Sequence, residues 1–190
     1  MPVGRIVSVS KTGILRLEDK GDMTYDDFAT TLEKIVKEFG TGCRLRIRAD
    51  RETLYSQIRP VVQIACENKL YDLRLDLFEP PSRVYAVPFP DPTTMMAPKS
   101  GQSVIRVRVG HDQLVWCNEE PITQDQLRDI VLHATDFADE CPFVLEVEND
   151  ATCQDIANVL DLCYVVGLRQ IYLQDAPPLN STSPAAPTTK

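Results

Sequence analysis

Two acids stand where strand-like runs stop: Asp50 closes CRLRIRAD and Asp150 closes PFVLEVEND. A carboxylate at a strand end can accept amide hydrogens of the loop that follows, as an Asx-type turn or a helix N-cap. The alternative is a corner that faces a partner. General acid–base chemistry needs a second titratable group within hydrogen-bond reach, and neither acid has a second carboxylate at a suitable spacing. The cysteines Cys43, Cys66, Cys117, Cys141, Cys153 and Cys163 form no CxxC pair, and His111 and His133 lie far from any cysteine pair. Metal-site patterning is therefore poor, and the thiols read as small buried hydrophobes. No Gly-rich phosphate loop, HExxH, Ser/His/Asp or Cys/His arrangement occurs, and Cys117 beside Asn118 and Glu119 is no recognised nucleophile context. The expectation is a protein that is not an enzyme, with no catalytic residue, no metal and no cofactor.

Composition narrows the partners. The formal net charge is -8 over 190 residues, which argues against nucleic acid, since phosphate binding needs a basic footprint. Hydrophobic residues at 43% and charged residues at 25% are ordinary for a globular chain with a core. A bilayer span takes roughly 20 mostly apolar residues. The best candidate, ATCQDIANVLDLCYVVGL, carries Asp155 and Asp161 and reads as an amphipathic helix. The start, MPVGRIVSVS, has no apolar signal core. The chain as given is expected to be soluble, with no membrane insertion of its own, and cytoplasmic if Met1 is the native start.

The elements that must position these residues come twice. MTYDDFATTLEKIVKEFG begins at Thr24 with Asp27 three residues on, and ITQDQLRDIVLHATDFAD begins at Thr123 with Gln126 three residues on. Both are helix starts of the capping-box kind. Phe28, Leu32, Ile35 and Phe39 form one helical face, and Leu127, Val131 and Ala134 its counterpart. A strand follows in each block, alternating Leu45, Ile47, Ala49 and Phe143, Leu145, Val147. A second helix spans roughly residues 55–68 and 153–166. YDLRLDL and LRQIYLQ close the blocks. Thr24 and Thr123 are 99 apart, Asp50 and Asp150 100, Leu75 and Leu173 98, so the chain reads as a duplication.

Each block opens with a hairpin-like pair, VSVSKTGILRLED and VIRVRVGHDQLVWCNEE, turning near Gly13 and near Gly110-His111-Asp112. The predicted architecture is α+β: two tandem two-layer β-β-α-β-α-β units with helices on one face of each sheet. The boundaries are residues 1–78 and 103–175, joined by a proline-rich linker over 79–102, with a disordered tail over 176–190. In the linker, Tyr85 and Phe89 are candidates to dock on a neighbour. A unit of about 70 residues is marginal alone, so pairing would stabilise it.

One face of each sheet is left open. On it stand Arg44, Arg46 and Arg48, joined by Arg74, in the first block, and Glu146 and Glu148, with Arg106 and Arg108, in the second. One reading is a solvated charged face. The sharper one brings Arg46 and Arg48 against Glu146 and Glu148, fixing orientation more than affinity. Trp116 reads as a core residue or a partner anchor.

IRADRETLYSQIRPVVQIACENKLYDLRL resembles the soluble domain of the ExbD/TolR biopolymer-transport family. Ala49-Asp50, Tyr55, Val61, Val62, Ile64, Ala65, Leu73 and Leu75 occupy the places of the family's pattern. The second block keeps Asp150, Ile156, Val159-Leu160-Asp161, Gly167-Leu168 and Ile171 to Leu173, but has Cys153 at the tyrosine. The first has Lys69 at the glycine. The resemblance implies a non-enzymatic interaction module on the periplasmic side of the bacterial inner membrane. Its partners would be a MotA/TolQ/ExbB-type channel protein and a transducer or cell-wall component, with homo-oligomers possible. Tyr55 would be a core aromatic or a dimer or partner contact. The family's coupling carboxylate lies in a transmembrane helix with no counterpart in this sequence. A second reading, from another class, is a tandem small-molecule sensor in the manner of ACT-type regulatory domains. It needs a ligand pocket between the units, and the glycine-poor sequence (eight in all) offers no obvious effector loop.

Overall fold

A computed structural model describes residues 4–18, 20–70, 72–79, 83–89, 103–136, 141–168 and 170–177. The first unit carries β1 (Gly4–Val9), β2 (Leu15–Leu17), β3 (Gly21–Met23), α1 (Tyr25–Phe39), β4 (Arg44–Asp50), α2 (Tyr55–Glu67), β5 (Asp72–Glu79) and β6 (Arg83–Pro88). The second carries β7 (Ile105–Val109), β8 (Val115–Cys117), β9 (Glu120–Ile122), α3 (Gln124–Asp136), β10 (Phe143–Val147), α4 (Cys153–Val165) and β11 (Ile171–Asp175). A 3-10 turn at His111–Gln113 joins β7 to β8. The sheets run β3-β2-β1-β4-β5-β6 and β11-β10-β7-β8-β9. In each, three adjacent strands are parallel and the opening hairpin is antiparallel. The fold is α+β, two similar two-layer units in tandem. Each opening hairpin is prolonged by one short strand more than expected, β3 and β9.

Equivalent rows of side chains make the two cores. Val7, Ile47 and Leu75 stand in register across the first sheet, and Val107, Leu145 and Leu173 across the second. All six are at most 4% exposed. Phe28, Leu32 and Ile35 of α1, and Leu127, Val131 and Ala134 of α3, close the helical layer over them. Full burial of such a side chain contributes roughly 1.5–3 kcal/mol, so these stripes decide which helix face turns inward. Phe39, expected on the buried stripe, is 42% exposed. It lies in the last turn of α1, beyond the sheet's cover, with the Arg5 guanidinium 5.8 Å from its ring centre.

The helix starts use the predicted chemistry. Thr24 Oγ1 accepts from the Asp27 amide at 3.1 Å. Thr123 and Gln126 exchange both bonds of a capping box, at 2.8 and 3.2 Å, each satisfying amides that the first turn leaves unpaired. Gly40, at φ 80°, ends α1 and returns its amide to the Val36 carbonyl at 2.8 Å; that left-handed conformation favours glycine.

Proline-rich sequence hides the largest departure. The expected linker over 79–102 contains β6, which pairs antiparallel with β5 from Arg74↔Pro88 to Glu79↔Arg83. Phe89 follows it, buried, its amide bonded to the Leu73 carbonyl at 3.0 Å. Proline is tolerated because β6 is an edge strand and Pro88 is its last residue. The first unit therefore extends beyond residue 78. The rest of the expected linker, residues 80–82 and 90–102, and residues 178–190 of the expected tail lie outside the described residues.

Candidate functional site: the seam between the units and the faces beside it

The chain's two halves meet through the loops that follow β4 and β10. An amide at the start of a helix has no carbonyl of its own turn to bond. Here the other unit supplies one. In α2 the Tyr55 amide donates to the Ala151 carbonyl at 2.8 Å and the Ser56 amide to Asn149 at 3.2 Å. In α4 the Cys153 amide donates to the Thr53 carbonyl at 2.8 Å and the Gln154 amide to Arg51 at 3.0 Å. Leu54 and Thr152 face each other as an antiparallel bridge between these bonds. Every partner is related to its counterpart by a shift of 98 residues, so the seam is a local two-fold axis within one chain.

The third residue of each second helix reaches back and ties the opening hairpin to the seam. Asp155 Oδ2 accepts from the Thr152 amide and hydroxyl at 2.9 and 2.6 Å, and Oδ1 from the Gln113 amide at 3.0 Å. In the first unit Gln57 Oε1 accepts from the Leu54 amide at 3.1 Å, while its Nε2 donates to the Lys11 carbonyl at 2.5 Å. Leu54 has no side-chain acceptor, so only half of the reciprocal cap forms there.

The corner acids are not equivalent. Thr53 donates to the Asp50 carbonyl at 3.0 Å, and Ala151 to the Glu148 carbonyl at 3.1 Å. The structural partner of Asp50 is therefore Glu148, and Asp150 corresponds to Glu52. Asp50 Oδ1 accepts from the Glu52 amide at 3.0 Å, an Asx-type turn, and lies 3.3 Å from the Lys11 ammonium. Asp150 is exposed. Tyr55 sits at the seam, 4% exposed. Burial pushes its phenol above the ordinary value, with Asp175 adding to the rise and Arg59 opposing it.

The expected contact of Arg46 and Arg48 with Glu146 and Glu148 does not form. Arg46 lies 2.6 Å from Asp76 on the neighbouring strand, and Arg44 2.6 Å from Asp72. Glu146 is 2.9 Å from Arg106 and 3.7 Å from Arg108, and Glu148 3.7 Å from Arg108. Arg48 stands beside Asp76 in the strand register. The ion pairs of Arg44, Arg46, Glu146 and Glu148 are thus made within their own sheets. Trp116 is half-buried on the open face, not in the core. It stands across from Arg108 and crowds Gly110, where a Cβ would come within 2.9 Å of the indole and 2.7 Å of Glu148 Oε2. With Arg106, Arg108, Glu146 and Pro177 it lines a cavity of about 380 Å³.

Sequence reasoning missed a groove between α2 of one unit and β11 of the other, about 370 Å³, lined by Tyr55, Arg59, Val62, Cys66, Leu173 and Asp175. Arg59 bridges it to Asp175 at 2.5 Å. The available signal was Pro80-Pro81 after β5 and Pro177-Pro178 after β11, with a strand-like RVYAVP after the first pair alone. Among the described residues, no group of His, Cys, Asp and Glu is arranged to hold a metal ion, and no helix is long and apolar enough to cross a membrane.

What the geometry defines is a class: a duplicated α+β unit whose copies cap each other's helices. No family model, curated protein or solved structure matches the chain.

Proposed function

We propose that this chain is a non-enzymatic protein-interaction module of the kind the ExbD/TolR resemblance implies, a dimer's two halves carried in one chain. The observation that carries the reading is the seam. Reciprocal capping of α2 and α4 across a local two-fold is the contact two separate copies of a unit would make, and fusion makes it permanent. A permanent dimer presents fixed surfaces to a partner without an assembly step. The partners would be a MotA/TolQ/ExbB-type channel protein and a transducer or cell-wall component, at the periplasmic face of the inner membrane.

The test is co-expression with a channel protein of that type, followed by affinity capture from solubilised membranes and cross-linking. Stoichiometric co-purification supports the proposal. A thermal-shift screen against amino acids and nucleotides provides the opposing outcome, since a saturable shift with one of them would overturn the interaction-module reading.

A further inference from the structure

We infer that the outer edge of β11, with the groove beside α2, is an acceptor site for an extended segment of a partner polypeptide, which adds to the second sheet as β6 adds to the first. This rests on the interaction-module reading only in taking the occupant to be a protein; the site itself is argued from the fold.

The local two-fold maps β5 onto β11 and α4 onto α2. In the first unit the outer edge of β5 is covered by β6, and α4 of the other unit packs against β5 and β6. At the place related by the two-fold, α2 faces β11 across the groove, and β11 is the last strand of its sheet. Main-chain direction alternates along a parallel strand. The Ala176 amide bonds the Val147 carbonyl at 2.9 Å, so Tyr172, Gln174 and Ala176 turn their main chain to β10. Leu173 and Asp175 turn theirs outward, as Leu73 does toward Phe89. Among the described residues nothing pairs with Leu173 and Asp175 on that side.

The other sheet ends are blunted. Strands β3 and β9 have three residues each, β9 includes Pro121, and β6 ends at Pro88. Beyond Ile171, β11 offers the run YLQD, with no proline. Such an edge is a template for pairing. The chain that follows, PLNSTSPAAPTTK, has no alternating apolar run and two prolines within its last seven residues, so it is a poor copy of β6.

The groove's chemistry suits a partner that comes and goes. Around β6, the positions matching Arg59 and Asp175 are Ala157 and Leu77, 0% and 1% exposed. Arg59 and Asp175 replace that permanently dry contact with an ion pair, over an apolar floor of Val62 and Leu173. The occupant fitted to this is an extended segment running antiparallel to β11. Its alternate side chains are apolar, and it has no proline opposite Leu173 or Asp175. Main-chain bonds supply affinity and the floor selects the side chains.

A fluorescein-labelled peptide of residues 83–89, RVYAVPF, is the probe, titrated into the full chain by anisotropy. Saturable binding in about the micromolar range is expected, with slowed amide exchange at Leu173 and Asp175. Leu173→Pro removes an outward amide that makes no bond to β10, and Arg59→Trp fills the groove from an exposed helix position. Each should weaken binding at least about tenfold, which is about 1.4 kcal/mol, the second with every residue of β11 unaltered. The inference is overturned by no binding at millimolar peptide, or by binding unchanged in Arg59→Trp. It is also overturned if the Leu173 and Asp175 amides are already protected in the free chain, or if sedimentation shows a dimer that Arg59→Trp dissociates, which assigns the edge to a second copy. Failure of the peptide with channel co-purification intact would sink this inference and leave the proposed function standing.

Discussion

Leu54 and Thr152 stand opposite each other in an antiparallel bridge, each the N-cap of its unit's second helix. The pair lies on the local two-fold, so one residue meets its own counterpart. The four main-chain bonds around it draw on first-turn amides that an isolated helix leaves to water. Duplication thus changes the energetics of each unit: the first two amides of each second helix are satisfied by the neighbour. The asymmetry of the caps follows. Thr152 brings a hydroxyl to the cap and Leu54 brings none, so α2 depends more on the seam than α4 does.

That dependence can be measured at Ser56. Its side chain is exposed and its amide bonds the Asn149 carbonyl at 3.2 Å. Proline is tolerated in a helix's first turn, so Ser56→Pro removes a seam bond while leaving the helix able to form. A loss of about 1 kcal/mol is expected. Asp26→Pro, at the same position of α1 and outside the seam, is the control and should cost clearly less. Urea unfolding of the two variants provides the comparison, and equal losses would show that the seam bond adds nothing.

Much of this was legible in the sequence, and the failures have physical causes. Helix starts were readable because Thr24 and Thr123 cap locally, within three residues. The core was readable because Leu45, Ile47 and Leu145, Val147 alternate at the strand period. The corner was misaligned by two residues, because Glu148, Asn149 and Asp150 offer several polar ends to one strand and only the backbone bonds of Thr53 and Ala151 choose among them. The pairing of Arg46 with Asp76, rather than with a glutamate of the other unit, depends on the β4–β5 register, which no local pattern encodes. β6 was obscured by prolines that restrict it to an edge without forbidding it. The groove beside β11 is formed by two elements distant in sequence, α2 and β11, and its one signal, a strand-like run after Pro80-Pro81 with none after Pro177-Pro178, shows only when the two blocks are laid on each other.

Thiol reactivity should divide the six cysteines by burial. Cys43, Cys153 and Cys163 are buried, whereas Cys66, Cys117 and Cys141 are partly exposed. The thiolate is the reactive form, and burial pushes the Cys163 thiol up to about 12 and raises Cys153 further, with Asp50 and Asp155 adding to the latter. Native labelling followed by mass spectrometry should modify Cys66 and Cys141 first and leave Cys153 and Cys163 unmodified until the chain opens. Because the Cys153 amide is bonded across the seam, its labelling in dilute urea should accelerate in Ser56→Pro. Labelling of Cys153 as fast as Cys66 in the native chain would contradict the seam.

Glu148 should give the fold a small acid-side preference. Burial raises its carboxyl above the usual range, Arg108 opposes the rise and Asp150 adds to it. A group whose folded pKa exceeds its unfolded value contributes stability that is fully present below the unfolded pKa and is lost as pH rises through the folded one. Relative to Glu148→Gln, wild type should therefore lose stability between the ordinary carboxylate value and neutrality. Paired urea titrations across that window check the sign. A wild-type gain with rising pH would mean that the Arg108 contact outweighs burial.

The pair with most at stake is Arg46 and Asp76. Asp76 is 0% exposed, on the sheet face opposite the helices, and the Arg46 guanidinium lies 2.6 Å from its Oδ2. Neither carboxylate oxygen has a hydrogen bond of good geometry, so the charge is compensated mainly by the ion pair. Removing one partner of a buried pair costs roughly 3–5 kcal/mol, because the other charge is left uncompensated, whereas replacing both by apolar groups can be neutral. Arg46→Met should accordingly lose about 3 kcal/mol, given that Arg46 is itself 36% exposed. Arg46→Met combined with Asp76→Leu should recover most of that loss. Arg44→Met, whose partner Asp72 is 38% exposed, should cost less than about 1 kcal/mol. Chemical denaturation of the three variants gives the double-mutant cycle, and strict additivity in the double variant would show that Asp76 is compensated by something other than Arg46.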